Sequence, residues 1–204
     1  MKREDLAHIL RAASQIADEH DVLVVGSQSI LGTYSEDQLP DAAVASVEAD
    51  VTFLWDADDK KSDLVDGALG EDSRFHSTFG YYAQGVSVAT AVLPSGWRDR
   101  LVVFENESTE PGRGFCLDRH DLVISKLVAG REKDFAFAAA LIRADLVDPD
   151  VLLQRAELLP SIPAVKRRVR DWVTTRAQTH RRPAPEPPGE GRRVDSPHPK
   201  QQFD

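Results

Sequence analysis

The apolar stretch VLVVGSQSILG, residues 22–32, ends in a Gly-Ser break, and the stretch VEADVTFL, residues 47–54, places two acids inside a second apolar run. Short apolar runs that are bounded by turn residues predict buried strands. The first run therefore predicts a strand that breaks at Gly26-Ser27 and passes into a helix. Two carboxylates within a segment that otherwise has the pattern of a buried strand require either a partner or a function.

Glu48 and Asp50 lie two residues apart, so they share one face of the predicted second strand. The alternating apolar residues take the opposite face, which we expect to be the core: Val47, Ala49, Val51 and Phe53. Two acids on one face raise each other's pKa unless something positive lies between them. A hard divalent cation such as Mg²⁺ meets that need. The same pattern is also typical of an ordinary half-exposed strand with its polar residues outward.

The Gly26-Ser27 pair, between a strand and a helix, suits phosphate oxygens. Backbone N–H groups and a hydroxyl point outward at such a junction, and glycine lets the backbone approach a ligand closely. Neither the GxxxxGK[ST] phosphate loop nor the GxGxxG dinucleotide pattern is present. A Gly-Ser pair after a strand is also commonly only a turn. The prediction of a phosphate site therefore depends on its combination with the acid pair.

The order of the elements predicts an α+β fold, with a helix and a sheet-building half before a helical half. Helices are expected over 3–19, 28–32, 62–69, 118–129, 134–143, from 149 onward and over 163–179. Strands are expected over 22–25, 46–54, 101–105 and 115–117. Residues 33–45 are predicted to be a loop, and the segment STFGYYAQGVSVATAVLP, residues 77–94, a hairpin or two short strands.

This organisation predicts a sheet region over residues 1–115, a helical region packed on it over 116–179 and a disordered, basic, proline-rich tail over 180–204. The tail holds six of the chain's 12 prolines and almost no apolar residues. It cannot bury enough apolar surface to offset the entropy lost on ordering.

Charge is distributed unevenly along the chain, whose formal net charge is −9. Residues 1–165 carry 15 Lys/Arg and 29 Asp/Glu, a net of −14, whereas residues 166–204 carry 10 and 5, a net of +5. The acidic body disfavours a broad nucleic-acid surface, while the basic end can contact RNA phosphates. Alternatively, the basic end only keeps this part of the chain solvated.

Several classes of protein are disfavoured by the composition. The single cysteine, Cys116, rules out a disulfide framework and a cysteine-rich zinc site, which fits a reducing cytoplasm. No apolar run approaches the roughly 20 residues that span a bilayer, and the start of the chain lacks a signal-peptide pattern. We therefore expect a cytoplasmic protein that makes no membrane contact.

The stretches VVGSQSILG, residues 24–32, and SVEADVTFL, residues 46–54, resemble the polymerase-β-like minimal nucleotidyltransferase superfamily. More narrowly, the chain resembles the bacterial group related to AbiEii-type toxins of type IV toxin–antitoxin systems. The stretch LDRHDLVISKLVAGREKDFAFAAALI, residues 117–142, is similar to that group's helical motif. The resemblance covers roughly residues 20–160 and implies a nucleotidyltransferase-like mixed sheet flanked by helices, followed by a C-terminal helical region.

The first half of the resemblance assigns the triphosphate and metal sites. It implies that Gly26 and Ser27 hold the β- and γ-phosphates of a nucleoside triphosphate. It implies also that Glu48 and Asp50 are catalytic residues that bind Mg²⁺. A hydroxyl would then attack the α-phosphorus in line and release pyrophosphate.

The helical motif supplies the remaining site residues. The resemblance implies that Lys126 neutralises the triphosphate, with Arg131 and Lys133 nearby. Asp134 would orient this motif or act as an additional acid. The simpler alternatives are a solvated lysine on an amphipathic helix and charged residues that cap helices and pair with each other.

Two departures from the superfamily pattern bear on catalysis. The first acid is Glu48 rather than the commoner aspartate, which displaces the carboxylate by one methylene. The superfamily usually has a third acid on a neighbouring strand, where GVSVATAVLP offers only Ser87 and Thr90. The third acid is therefore absent or comes from elsewhere, such as Asp134.

The leading functional hypothesis is Mg²⁺-dependent transfer of a nucleoside monophosphate from a nucleoside triphosphate to a hydroxyl of RNA, such as tRNA, or of protein. The resemblance makes the protein toxin-like, with an antitoxin protein as a partner. The basic segment KRRVRDWVTTRAQTHRR, residues 166–182, is the expected RNA contact. One alternative is a catalytically inactive member that binds a nucleotide or a partner. Another is a structural or interaction protein in which these patterns are incidental.

Overall fold

A mixed sheet of five strands forms the centre of residues 1–181, the part of the chain that the computed structural model describes. The strands are β1 (Asp21–Val24), β2 (Glu48–Thr52), β3 (Tyr82–Gly85), β4 (Val102–Phe104) and β5 (Arg113–Cys116). Their order is β3-β2-β1-β5-β4. The central strand β1 is antiparallel to β2 and parallel to β5, while β3 is parallel to β2 and β4 is antiparallel to β5. The predicted α+β fold with a mixed sheet is confirmed.

Helices cover the sheet and form the region that follows it. They are α1 (Arg3–Ala17), α2 (Asp41–Val44), α3 (Lys60–Leu69), α4 (Arg74–Phe79), α5 (Arg119–Ala129), α6 (Glu132–Arg143), α7 (Pro149–Glu157) and α8 (Pro163–Arg181). Short 3₁₀ helices lie at Ser27–Gly32, Glu36–Gln38, Ala57–Asp59, Val88–Thr90 and Trp97–Arg100. The division of the chain at residue 115 stays a prediction.

The ends of the later helices follow from local sequence. The Asp118 carboxylate accepts the backbone N–H groups of His120 and Asp121 at the start of α5, and Gly130 ends that helix with φ +70°. Asp148 caps α7, and Pro149 occupies its first position, where a missing N–H costs no hydrogen bond. These predicted boundaries are confirmed.

The core lies between α1 and the central strands. One face of α1 is fully buried, at Leu6, Ile9, Leu10 and Ala13. All three apolar side chains of β1 are also fully buried, as expected for a strand covered on both faces. Burying one large apolar side chain contributes about 1.5–3 kcal/mol, so this layer anchors the strand that leads to Gly26.

Three predictions about the first half of the chain were wrong. The predicted loop over 33–45 contains a 3₁₀ turn and the helix α2, because Pro40 has the backbone angles of a helix N-cap. The segment 77–94 is not a hairpin: its first residues end α4, β3 is its one strand, and Val88–Thr90 forms a 3₁₀ turn. Val47 is 45% exposed rather than in the core, because β2 begins only at Glu48.

A buried ionic cluster ties three elements together around Asp121 of α5. The Asp121 carboxylate is fully buried and accepts hydrogen bonds from Arg100 Nε at 2.7 Å and Arg100 Nη2 at 3.1 Å. Arg155 Nε of α7 lies 3.4 Å away from the same carboxylate. The cluster therefore links the turn before β4 to two helices of the C-terminal half.

The single cysteine is packed closely against the 3₁₀ helix that follows β1. Cys116, at the end of β5, is fully buried, and burial raises the pKa of its thiol to about 12. A Cβ atom on Gly32 would lie 2.5 Å from the Cys116 Cβ. The 3₁₀ helix Ser27–Gly32 is thus packed directly onto this side chain.

Of the predicted tail, 180–204, the residues 182–204 lie outside the described part of the chain. Helix α8 continues to Arg181, two residues beyond the predicted end at 179. Within residues 1–181, every helix is too short or too polar to cross a membrane.

Candidate active site

A cavity of about 360 Å³ lies between the centre of the sheet and the start of α6. All of the predicted site residues except Gly26 line it, although they come from segments far apart in the chain. Its lining comprises Ser27, Ala42, Ala45, Ser46, Glu48, Asp50, Lys126, Arg131, Lys133, Asp134 and Phe137. The fold therefore brings the Gly-Ser break, the acid pair and the helical motif to one place.

Gly26 packs directly against the side chain of Asp50, the second member of the acid pair. The Val25 N–H donates to the Asp50 carbonyl at 3.0 Å, which holds the end of β1 against β2. A Cβ atom on Gly26 would lie 1.6 Å from Asp50 Oδ2. The φ of Gly26 is −85°, a value open to any residue, so glycine is needed for close approach and not for conformational freedom.

The Gly-Ser break leads into a 3₁₀ helix, Ser27–Gly32, rather than a full α-helix. Its second and third residues, Gln28 and Ser29, are fully buried. Within the described residues, neither amide atom of Gln28 nor the Ser29 hydroxyl has a hydrogen-bond partner. This turn is therefore buried in the protein interior, and Ser27 is its member that lines the cavity.

The acid pair occupies one face of β2, as predicted. Glu48 and Asp50 are partly exposed, whereas Ala49 and Val51 between and after them are fully buried. Burial raises the pKa of Glu48, and the charge of Asp50 and a hydrogen bond with its carboxyl raise it further. The nearby Lys133 charge and the Tyr82 hydroxyl act in the opposite direction.

These two carboxylates fit Mg²⁺, which binds one or two protein carboxylates and completes its shell with water and substrate phosphates. The raised pKa of Glu48 is the direction expected for a carboxyl that has another carboxylate beside it and no bound cation. Within residues 1–181, no group of three or more His, Cys, Asp or Glu side chains is arranged to hold a metal. Water and substrate phosphate oxygens are the usual further ligands of a Mg²⁺ ion that two carboxylates hold.

The helical motif is organised around Asp134, which is only 2% exposed. Its carboxylate accepts a hydrogen bond from Arg131 Nε at 2.7 Å and lies 3.7 Å from Lys126 Nζ. The Arg131 N–H also donates to Asp134, so the carboxylate caps the first turn of α6. Asp134 therefore holds the two cations in place.

Lys126 is largely removed from water, with 14% of its side chain exposed. Burial lowers the pKa of Lys126, and the carboxylates of Asp134 and Asp50 oppose that change. A desolvated ammonium group attracts a phosphate more strongly than a fully hydrated one. Lys133, by contrast, is exposed and forms no ion pair with any carboxylate of the described residues.

Two side chains that the sequence reasoning missed face the acid pair from β3. Tyr82 lies opposite Glu48 and Gln84 opposite Asp50 in the parallel register. The Tyr82 hydroxyl donates to Glu48 Oε2 at 3.4 Å, and its pKa is raised to about 12, first by burial and then by the Glu48 charge. Tyr82 and Gln84 are two residues apart in the sequence, which predicts that they share one face of a strand. The prediction of a hairpin paired this segment with its neighbour in sequence and not with the strand of Glu48 and Asp50.

The neighbouring-strand positions had been expected at Ser87 and Thr90, and that expectation was wrong. Ser87 precedes and Thr90 ends a 3₁₀ turn beyond the strand. Ser46 was also missed: its hydroxyl accepts the Glu48 N–H at 3.1 Å and donates to the Glu48 carbonyl at 3.2 Å. It fixes the start of the acid-bearing strand.

Comparison with known proteins defines the class. Residues 4–181 match the family described as nucleotidyltransferase of unknown function (DUF6036), and the chain belongs to that family. It is therefore a member of the nucleotidyltransferases, a class that acts on nucleotides. No curated protein and no solved structure shows a significant match to the chain.

Proposed function

We propose that this protein transfers a nucleoside monophosphate from a nucleoside triphosphate to a hydroxyl group in a Mg²⁺-dependent reaction. One observation carries the proposal: Ser27, the carboxylates of β2 and the cations of the α5–α6 junction line a single cavity. Nucleotidyl transfer needs anionic ligands for a cation and cationic ligands for a triphosphate side by side.

Different residues of the cavity bind the phosphates and the cation. Ser27 and the backbone beside Gly26 bind the outer phosphates, while Lys126 and Arg131, held by Asp134, offset their charge. Glu48 and Asp50 bind Mg²⁺, which supplies positive charge against the charge that develops on the phosphate oxygens. The acceptor oxygen forms a bond to the α-phosphorus as the bond to the bridging oxygen breaks. Pyrophosphate leaves, and the hydroxyl proton passes to water.

We further propose that the acceptor is RNA, such as tRNA, with protein as the alternative acceptor. The exposed cations of α8 support RNA, because the rest of the chain is acidic. The narrower resemblance to AbiEii-type proteins supports a toxin-like role with an antitoxin partner in a bacterial cytoplasm. The single cysteine, Cys116, also fits a reducing cytoplasm.

The experiment is incorporation of label from each of the four α-³²P nucleoside triphosphates, with Mg²⁺, into total tRNA or protein. We expect transfer with the natural chain, and a loss of at least about 100-fold in Asp50→Ala and Lys126→Ala, since each removes a charge used in the transition state. Arg170→Gln, on the side of α8 that faces α7, is the control and should retain full activity, because the Arg170 charge is already paired with Glu157. Full incorporation by both cavity variants would overturn the assignment of the site.

A second function is supported by the residues opposite the acid pair. Tyr82 and Gln84 stand on the neighbouring strand, where an active member would be expected to carry a carboxylate. An inactive member that binds a nucleotide or a partner protein fits this arrangement. Tight Mg²⁺-dependent binding of a triphosphate without any transfer to RNA or protein would favour it.

A further inference from the structure

Helix α8 presents two chemically different rows of basic residues. Lys166 and Arg170 lie toward α7, where Lys166 Nζ donates to the Glu157 carbonyl at 2.8 Å and Arg170 pairs with the Glu157 carboxylate at 2.9 Å. Arg168 and Arg176 lie on another row, four residues to either side of Trp172. The Arg170 charge is paired with a carboxylate, whereas Arg168 and Arg176 have no carboxylate partner within the described residues.

The second row faces the helical motif of the candidate site. Arg168 Nη2 donates to the Val128 carbonyl at 2.8 Å and lies 3.6 Å from the position of a Cβ atom on Gly130. Gly130 immediately precedes Arg131, which lines the cavity. The guanidinium of Arg168 therefore lies beside the turn that leads to Arg131.

An aromatic contact fixes the rotation of α8. Trp172 stacks on Phe135, in the first turn of α6, with ring centroids 5.7 Å apart and planes at 27°. The Arg176 guanidinium lies 5.4 Å from the Trp172 ring centroid. The stack holds the row Arg168–Trp172–Arg176 beside the turn that carries Lys133. Because Arg176 follows Arg168 by eight residues, the row extends about 12 Å along the helix axis.

The charges of this row lack acidic partners within the described chain. Arg168 and Arg176 are exposed, and neither forms an ion pair with a carboxylate of residues 1–181. Lys133, which lines the cavity, is also exposed and forms no ion pair with a carboxylate of residues 1–181. The result is a narrow positive row in a molecule whose first 165 residues carry a net charge of −14.

We propose that Arg131, Lys133, Arg168 and Arg176 form a phosphate track that leads a single-stranded RNA acceptor into the candidate active site. The inference rests on the proposed function, since it concerns the acceptor of that reaction. The α8 part of this track is a single row of cations about 12 Å long, which suits one flexible phosphate backbone. A duplex would bring a second backbone toward the acidic surface on either side, which would repel it.

The test compares two arginine pairs on one helix in the full-length protein. Binding of a 5′-fluorescein-labelled single-stranded RNA of about 12 nucleotides is followed by anisotropy over a series of salt concentrations. The double variant R168Q/R176Q should bind about tenfold more weakly, and the slope of log affinity against log salt should fall by about 0.7 for each arginine. Arg170→Gln is the matched control, because it removes the same charge from the row paired with Glu157, and its affinity should stay within about twofold.

The single variant Arg176→Gln controls for an effect on folding. Arg168 donates a hydrogen bond to the Val128 carbonyl, so its loss can destabilise the protein, whereas the Arg176 guanidinium lies over the Trp172 ring and donates to no backbone group of the described residues. It should retain the melting temperature of the natural chain and still lose affinity for RNA. Equal weakening by Arg170→Gln and Arg176→Gln would overturn the track, because the effect would then come from overall charge.

A parallel measurement separates this inference from the proposed function. Binding of fluorescent methylanthraniloyl derivatives of ATP and GTP, with Mg²⁺, reports on the cavity itself and should be unchanged in all three α8 variants. Nucleotide binding without any binding of RNA would overturn the track and leave a protein acceptor for the proposed reaction. The expected pattern of RNA affinities without nucleotide binding would support the track and overturn the proposed function.

Discussion

The contact between Gly26 and Asp50 gives the sharpest prediction at the scale of a residue. In Gly26→Ala, the new methyl group must displace the Asp50 carboxylate, because its ideal position lies 1.6 Å from Oδ2. We expect a stability loss of about 1–3 kcal/mol, typical of overpacking, and loss of Mg²⁺-dependent triphosphate binding. Chemical denaturation and fluorescent nucleotide binding measure the two effects.

Gly67→Ala is the matched control, since Gly67 lies inside α3 and nothing is within 4 Å of its added Cβ. It should stabilise the protein by about 0.5–1 kcal/mol, because alanine favours a helix interior, and should leave nucleotide binding unchanged. Normal triphosphate binding by Gly26→Ala would mean that the carboxylate of Asp50 need not lie where it does.

Glu48 should show the opposing demands of stability and function. Its pKa is raised in the folded protein, so over a range of pH above about 4.5 the folded state retains a proton that the unfolded chain has lost. The stability of the natural chain should therefore fall as pH rises through that range. Glu48→Gln removes the ionisable carboxyl that is responsible for this loss of stability. The melting temperature of the variant should therefore be higher than that of the natural chain at neutral pH without divalent cations.

The gain from Glu48→Gln is expected to be at most about 1 kcal/mol, because the side chain is partly exposed, which corresponds to about 2–4 °C in Tm. Addition of Mg²⁺ should raise the Tm of the natural chain and leave that of the variant unchanged. Equal stabilisation of both proteins by Mg²⁺ would place the cation elsewhere.

At the scale of an element, α6 begins with the residue that organises the site. Asp134→Asn should cost about 1–3 kcal/mol, since the buried carboxylate pairs with both Lys126 and Arg131. Triphosphate affinity should fall, because the two cations lose the partner that positions them. The affinity for Mn²⁺, used as a paramagnetic probe of the acid pair, should remain.

Asp50→Asn should have the reverse pattern, with Mn²⁺ binding lost and stability little changed. The two variants therefore distinguish the two roles that the sequence left open for Asp134. Loss of Mn²⁺ binding in Asp134→Asn, without loss of stability, would favour the additional acid over the orienting residue.

The elements also show which parts of the fold could be predicted. The ends of α5 and α7 were predictable because Asp118, Gly130 and Pro149 act through neighbouring backbone groups. The partner of β3 was not, because parallel pairing joins Tyr82 to Glu48, 34 residues apart, and no turn signal marks it. An interpretation as a hairpin follows naturally when only adjacent segments are considered.

The composition of the cavity was likewise predictable only in part. The alternation of Glu48 and Asp50 placed them on one face from local geometry alone. The position of Lys126 near them followed from the resemblance, since no property of the 75 residues between Asp50 and Lys126 fixes that distance. The contact of Gly26 with Asp50 and the role of Tyr82 required the packed structure, because both depend on strand register.

At the scale of the whole molecule, Asp121 joins the sheet half to the helical half. Asp121→Asn removes a fully buried charge that pairs with Arg100 and Arg155, whose side chains are 20% and 23% exposed. We expect a loss of about 2–4 kcal/mol, somewhat below the value for fully buried pairs. The free energy of unfolding in urea measures it.

Asp21→Asn provides the control, because the pair of Asp21 with Arg113 is partly exposed, at 36% and 44%. Its cost should stay below about 1 kcal/mol, as is usual for surface ion pairs. Similar costs for the two variants would indicate that the Asp121 cluster contributes no more than a surface pair to cohesion of the molecule.

Because Cys116 is buried, the chemical reactivity of the chain's only thiol reports how often the surrounding structure opens transiently. Reagents such as 5,5′-dithiobis(2-nitrobenzoic acid) modify thiolates, and this one is sealed beneath Gly32 with its pKa held at about 12. The labelling rate therefore counts transient openings of the central sheet. Occupation of the neighbouring cavity by triphosphate and Mg²⁺ should slow labelling, with no dye attached and no substitution made.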